Sequence, residues 1–393
     1  MKGDNTIMNK NEEYLRLLDS TILPSKENPI ETARKFNKII DFVKKDYLGS
    51  VYRYRAYNQK NVSAFSDDLL FISDNKYYTD LYDSSISINM ESINQELINE
   101  CLKVDRIDLI DKFKQIQHPS IKNIIKNLQN FDNESLKEII KSFIPHFKPI
   151  LEYELENCIN MLRKNQYRSI CFCETVLDNC MWDRYADGHR GFCLEYNFMP
   201  GYIETICTKC NRKCNQELIM CLLPVAYSKK KFDVSYQIKR LVISNLLLAM
   251  LNYDPYNGVV DLLFPHKIQL HKEKTGYSSE KEWRLIINNS MCKAVQFPPR
   301  ALYLGAGLLR HEKDKMAFIA YKKWIIVYEM KINHFSLSYD LGKSVYKLEL
   351  PMNQISLPLI HNNFTYVFRK TSLETIEIKS NIKIKGEKHE KYN

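Results

Sequence analysis

The sequence carries no G-x-x-x-x-G-K-[ST] loop, no H-E-x-x-H pair and no G-x-S-x-G elbow. Their absence removes the motif-level case for a P-loop phosphate cradle, a zinc-protease helix or a hydrolase nucleophile on a strand-to-helix turn. The opening residues, MKGDNTIMNKNEEY, lack the apolar segment that a signal peptide requires, so a cytoplasmic location is expected. No membrane span is expected either: the longest apolar run, LVISNLLLAML at 241–251, falls short of the roughly 20 residues a bilayer needs and reads as a buried helix. Internal repeats and low-complexity linkers are also missing, which argues against a solenoid or a beaded chain.

What is present is the composition of a globular protein. The 393 residues are 45% hydrophobic and 26% charged, enough for a buried core and for either two ordinary domains or one domain with insertions. Lysine and arginine exceed aspartate and glutamate to give a formal charge of +10, which favours an anionic ligand or nucleic acid as partner. Part of that excess lies in Lys229, Lys230 and Lys231 and in a basic tail that includes Lys379, Lys383, Lys385, Lys388 and Lys391. The 11 cysteines of an intracellular chain are expected to be reduced thiols or metal ligands.

Hydrophobic periodicity divides the chain into a helical N-terminal lead-in over 1–45, a main domain over 46–335 and a C-terminal extension with a basic tail over 336–393. The lead-in places Tyr14, Leu15, Leu17 and Leu18, then Phe36, Ile39, Ile40 and Val43, at helical spacing. SVYRYRAY then alternates, so Arg53 and Arg55 should share one face of a strand, and Tyr52 and Tyr54 the other. Strand-like runs follow at LLFIS, RSICFCE, GFCLEYNF, LPVAYS, EWRLIIN, ALYLG and KWIIVYEMKI, with a helical insertion at 90–165 and helix again over 235–275. The fold class predicted is α+β: a mixed β-sheet domain with inserted helices.

Three stretches concentrate chemistry. In SEKEWR, Glu280 and Glu282 are two apart at a strand start, which directs both carboxylates to one face and raises the proton affinity of one. The alternative is a solvated strand edge where Glu282 pairs with a neighbouring arginine. In MWDRYADGHRGFC, Trp182 and Tyr185 fall on one side of a helical turn, and Gly188 and Gly191 break that turn around His189 and Arg190, a setting in which a planar ligand could stack. Against this stands a helix that simply packs its rings into the core. In CTKCNRKC, Cys207, Cys210 and Cys214, with the more distant Cys221 or Cys193 as fourth ligand, form a candidate Zn2+ site next to basic residues, or else a set of reduced thiols. The GAG at 305–307 reads as a turn and not as a dinucleotide fingerprint.

Taken together, the Y-R-Y-R strand, Thr79-Asp80-Leu81-Tyr82-Asp83, Cys171-Phe172-Cys173-Glu174, Met181-Trp182-Asp183-Arg184-Tyr185-Ala186, Gly191-Phe192-Cys193 and Glu280-Lys281-Glu282-Trp283-Arg284 resemble the bacterial domain-of-unknown-function family 2971 over roughly 50–310. Where that family has an Asn-Asp-Pro-Phe-like turn, this chain has Thr79-Asp80-Leu81-Tyr82, and the Cys207–Cys214 cluster looks like an insertion. Some members resemble accessory or effector genes of bacterial anti-phage and stress systems. The order of early basic strand, aromatic segment and late E-x-E is also similar, more loosely, to that of ADP-ribosyltransferases. That similarity implies an NAD-consuming, toxin-like effector with NAD as substrate. Arg53 or Arg55 would anchor NAD, Trp182 or Tyr185 would stack on the nicotinamide, Glu282 would be catalytic and Glu280 would position the acceptor. His189 and Arg284 complete the expected ligand contacts, and a partner protein is expected to restrain the activity. Two other functions compete: a nucleic-acid-binding module whose cysteine cluster holds zinc, and a metal-dependent nuclease using Asp183, Asp187, Glu280 and Glu282.

Overall fold

The computed structural model describes residues 3–74, 86–103, 141, 149, 152–157, 168–206, 217–273, 278–287, 293–333, 338–340, 346, 360–361, 364–370 and 376–380. The chain divides into two compact units, Met1–Tyr346 and Lys347–Asn393. The first is an α+β unit built on a mixed sheet, with helices at its N-terminus.

The N-terminal helices are Gly3–Ser20 and Pro29–Lys44. Asn28 caps the second by accepting a hydrogen bond from the Ile30 amide, and Pro29 occupies the first turn, where its missing N–H costs nothing. Phe36, Ile39, Ile40 and Val43 are buried along one face of that helix, and Tyr14 and Leu18 are buried on the first.

The strands are β1 (Val51–Arg55), β2 (Leu69–Phe71), β3 (Ser73–Asp74), β4 (Ile86–Ser87), β5 (Arg168–Cys173), β6 (Phe192–Tyr196), β7 (Gly201–Ile206), β8 (Glu217–Pro224), β9 (Ala226–Ser228), β10 (Phe232–Asp233), β11 (His271–Glu273), β12 (Glu282–Ile287), β13 (Ala294–Gln296), β14 (Ala301–Leu304) and β15 (Ile326–Glu329). The main sheet runs β15-β14-β6-β1-β5-β12-β8-β7, with β3 added to β5. Its ladders are antiparallel except β14–β15, whose parallel pairing is closed by the crossover helix Arg310–Lys322. In the main sheet, β7 and residues 217–222 of β8 were not read as strand from the sequence, and neither were the short strands β4, β10, β11 and β13.

The pairing register fixes the faces. Tyr52 sits opposite Cys173, and Cys173 opposite Glu282; Arg284 sits opposite Cys171. Directly paired residues project to one side of a sheet, so Tyr52, Cys171, Cys173, Glu282 and Arg284 share a face, with Tyr54 beside them. Arg53 and Arg55 project from the other face, opposite Leu194 and Phe192. On the first face Tyr54, Cys173, Met181, Trp182, Cys193, Tyr303 and Tyr339 pack into one apolar cluster. A second cluster joins the helix Met90–Cys101 to the helix Ser235–Leu251 through Ile93, Leu97, Val242, Ile243, Leu246 and Leu247.

The stretch 235–275, expected to be helical throughout, is broken. The helix ends at Leu251, where Asn252 takes a left-handed φ of 53° and its amide returns to the Leu247 and Leu248 carbonyls. A shorter helix, Phe264–Leu270, follows with Pro265 in its first turn, and His271–Glu273 is strand β11, paired in parallel with β9. Of the helical insertion at 90–165, only 90–103, 141, 149 and 152–157 fall within the described residues, with a helix over Met90–Cys101. Among the described residues no helix is long and apolar enough to cross a membrane. The second unit contains an antiparallel sheet of Ile360–His361, Phe364–Lys370 and Ile376–Ser380.

Candidate functional site

Residues Ser278–Glu280 form one 3-10 turn, Lys281 takes a left-handed φ of 44°, and β12 begins at Glu282. Lys281 thus breaks the strand alternation that was expected to align the two glutamates. They converge all the same, on Lys272 of β11. Its Nζ lies 3.4 Å from Glu282 Oε2 and 3.8 Å from Glu280 Oε2.

Glu282 is sealed in the interior. Arg284 donates to it twice along the same strand, Nε to Oε1 at 2.8 Å and Nη2 to Oε2 at 3.1 Å, and donates Nη1 to the Gln269 carbonyl at 2.6 Å. Arg284 is wholly buried. Burial alone would raise the Glu282 carboxyl, but the charge and hydrogen bonds of Arg284, the Lys272 ammonium and a hydrogen bond from Cys171 outweigh it and hold it down at about 2. The Glu282 amide donates to the Tyr227 hydroxyl at 3.2 Å. The pairing of Glu282 with a neighbouring arginine is therefore present, but not at a solvated strand edge: β12 lies between β5 and β8, and both side chains are buried.

Glu280 has a different environment. Burial raises its carboxyl above the ordinary value, the Glu282 charge adds to this, and Lys272, Tyr185 and Arg184 oppose without cancelling. Tyr185 donates its hydroxyl to Glu280 Oε1 at 3.1 Å, and Arg184 Nη1 lies 3.3 Å from the same oxygen. Both come from the helix Asn179–Tyr185, which Asp178 caps through the Met181 amide. Glu280 is itself buried, 4% exposed against 7% for Glu282, and what sets it apart is that its partners reach solvent: Tyr185 is 41% exposed and the Arg184 side chain 38%. Two neighbouring carboxyls are thereby pushed apart in proton affinity, the arrangement that separates an acid from a base in a site.

Trp182, expected to stack on a ligand, is fully buried. Its indole N–H donates to the Val176 carbonyl at 2.7 Å, and its ring meets Tyr54 edge-on at 5.1 Å and Tyr339 at 5.3 Å. Its faces are occupied by protein, and only Tyr185 of the pair reaches the carboxylates. His189 exchanges a 2.6 Å hydrogen bond with the Tyr339 hydroxyl. The backbone there is left-handed at Asp187, Gly188 and His189. The Gly305 and Gly307 amides donate to the Gly191 and His189 carbonyls, both at 2.9 Å. The GAG turn therefore docks on the GHRG turn, and a Cβ at Gly191 would strike the Arg55 carbonyl. The close approach that Gly191 permits is to the chain itself.

Arg53 and Arg55, expected to hold NAD beside Glu282, are separated from it by the thickness of the sheet. Arg53 is buried, donates to the Phe71 carbonyl at 3.1 Å and lies 5.7 Å from the centre of the Phe172 ring. Burial, and then the Arg53 charge, lower Arg55 to about 9. Cys207, Cys210 and Cys214 lie outside the described residues. Cys221 is buried in β8, where desolvation raises its thiol. Among the described residues no three His, Cys, Asp or Glu side chains come together to hold a metal. A cleft of about 350 Å3 lined by Pro24, Pro29, Phe36, Tyr202 and Leu262 contains none of the expected site residues, and it carries no acid–base pair.

Lys272 and Tyr227 were not singled out in the sequence, and Arg184 entered only as a member of the MWDRYA motif, with no contact to Glu280 expected. Lys272 lies in a stretch that reads as helix and Tyr227 at the end of a strand, so no spacing connects either to Glu282 before the chain is folded.

Residues 181–285 match the model of a family described as a protein of unknown function (DUF2971). The matched span begins at Met181 and ends one residue beyond Arg284, so it includes Arg184, Tyr185, Tyr227, Lys272, Glu280 and Glu282 and excludes the Y-R-Y-R strand. No curated protein and no solved structure matches the chain.

Proposed function

We propose that the protein is an NAD-consuming effector, acting by ADP-ribosyl transfer or NAD glycohydrolysis, in which Glu280 and not Glu282 is the carboxylate that meets the ribose. The observation behind this choice is the contrast in partners: Glu282 is locked to Arg284 by two hydrogen bonds, whereas Glu280 is edged by the exposed Tyr185 and by Arg184. Cleavage of the nicotinamide bond builds positive charge on the ribose, and an ionised carboxylate beside it stabilises that charge. Tyr185 offers a ring for stacking and Arg184 a guanidinium for a phosphate oxygen. Both lie in the span matched by the family model. The proposed setting, a bacterial anti-phage or stress response with a partner protein restraining the activity, rests on the sequence resemblance alone.

The test is to incubate the full-length protein, Glu280→Gln and Glu282→Gln with NAD labelled in its adenylate phosphate, in the presence of protein and RNA from a cell extract. Label transfer or nicotinamide release by the wild type, lost in Glu280→Gln, is the expected result. Folded wild-type protein that consumes no NAD would sink the proposal and shift attention to nucleic-acid binding, for which the formal charge of +10 is the supporting feature.

A further inference from the structure

Lys272 and Tyr227 face each other across the parallel β9–β11 ladder, and both reach the carboxylate segment. Lys272 is 4% exposed, a placement that an ammonium tolerates only with anionic partners. The two strands are anchored from the N-terminal helix. The Asn11 side chain donates to the Tyr227 carbonyl at 2.5 Å and accepts from its amide at 3.1 Å, and Asp19 lies 2.8 Å from His271 Nε2, next to Lys272. The ammonium is therefore held by the fold on a short strand whose position does not depend on the glutamates.

We infer that Lys272 is a positioning residue: its ammonium, 3.8 Å from Glu280 and 3.4 Å from Glu282, offsets the Glu282 charge at Glu280 and holds the Glu280 carboxyl available in its ionised form. Glu282 has the shorter contact with Lys272 and two bonds from Arg284 besides, while Glu280 has the longer contact and rim contacts from Tyr185 and Arg184. The next residue in the chain, Lys281, is engaged by Glu174 at 3.3 Å, and two further groups packed there are neutral. Cys173, whose thiol donates to the Glu280 carbonyl at 3.0 Å, is pushed by burial up to about 12, and burial likewise keeps the Tyr227 phenol protonated. With Lys272 neutralised, Glu280 would face the charge of Glu282 with Arg184 as its nearest remaining cation. Its catalytic meaning rests on Glu280 being the reacting carboxylate, but the proton assignment itself can be measured without substrate.

The experiment is a carboxyl 13C titration of the full-length protein labelled in glutamate, with the Glu280 signal assigned by its loss in Glu280→Gln. Lys272→Met is expected to raise the Glu280 midpoint by about one unit or more, the usual effect of losing an opposite charge at this range. Lys272→Arg should restore it. Lys272→Gln, which keeps donors for both carboxylates, should give the same upward shift and serves if the Met variant does not fold. An unchanged Glu280 midpoint in a folded, neutral variant would overturn the inference. NAD consumption by the same samples separates the two ideas: a shifted midpoint without turnover retires the NAD proposal alone, and turnover with an unshifted midpoint retires the role of Lys272 alone. Where both hold, the acidic limb of the activity profile moves upward with the midpoint.

Discussion

Glu282 and Arg284, two residues apart on one strand, close a buried ion pair along their own backbone, Nε to Oε1 at 2.8 Å and Nη2 to Oε2 at 3.1 Å. Residues i and i+2 of a strand project to the same face, so a local sequence spacing becomes a tertiary ion pair once the sheet covers it. Because both side chains are out of water, each is stable only while the other is present.

Arg284→Met should therefore be strongly destabilising. Leaving a buried carboxylate without its main partner costs about 3–5 kcal/mol. Urea unfolding would register this as a lower midpoint with an unchanged slope, and a loss within about 0.5 kcal/mol, the size typical of a surface substitution, would contradict the buried-pair account.

The pH dependence of Glu282 follows from its depressed carboxyl. A folded value near 2 against the ordinary 4.5 means that its contribution is fully present above about 4.5 and is lost as the pH falls towards 2. The stability difference between wild type and Glu282→Gln should shrink across that window, as read from urea midpoints at successive pH values.

Glu280 should show the opposite sign. A carboxyl raised in the folded state favours folding when protonated, and that benefit is lost as the pH rises through its folded value. Glu280→Gln is thus expected to be more stable than wild type at neutral pH, with the gap closing on acidification to the ordinary carboxylate range. A thermal melt at pH 7 that shows Glu280→Gln below wild type would be the contrary result.

Trp182→Ala should cost about 3–5 kcal/mol, the range for emptying a buried aromatic site. The indole is fully buried against Tyr54 and Tyr339. Near-native stability with altered ligand affinity would instead place the ring in a binding site.

Gly191→Ala should lose about 1–3 kcal/mol through overpacking, or prevent folding, since the added methyl meets the Arg55 carbonyl and the Ala186 side chain. Gly188→Ala is the informative control: its φ of 58° strains an alanine, but no atom lies within 4 Å of the new methyl. Expression and melting temperature of the two variants would separate steric contact from backbone strain.

Much of the fold was legible in the chain because hydrophobic period is a local property. The buried stripe of the helix Pro29–Lys44, the alternation of arginines and tyrosines in β1 and the strands β5, β6, β12 and β14 all follow from neighbours a few residues apart. The interest of Glu280, Glu282 and Tyr185 was also visible, since carboxylates and rings in apolar runs stand out. What the sequence could not decide is which side of the sheet each group faces and what meets it there. Register put Arg53 and Arg55 behind the sheet, packing closed Trp182 away, and a pairing between β9 and β11, 45 residues apart in the chain, brought Lys272 to both glutamates. Charge pairing in a low-dielectric interior depends on distances of a few ångströms, and those exist only after long-range contacts have formed.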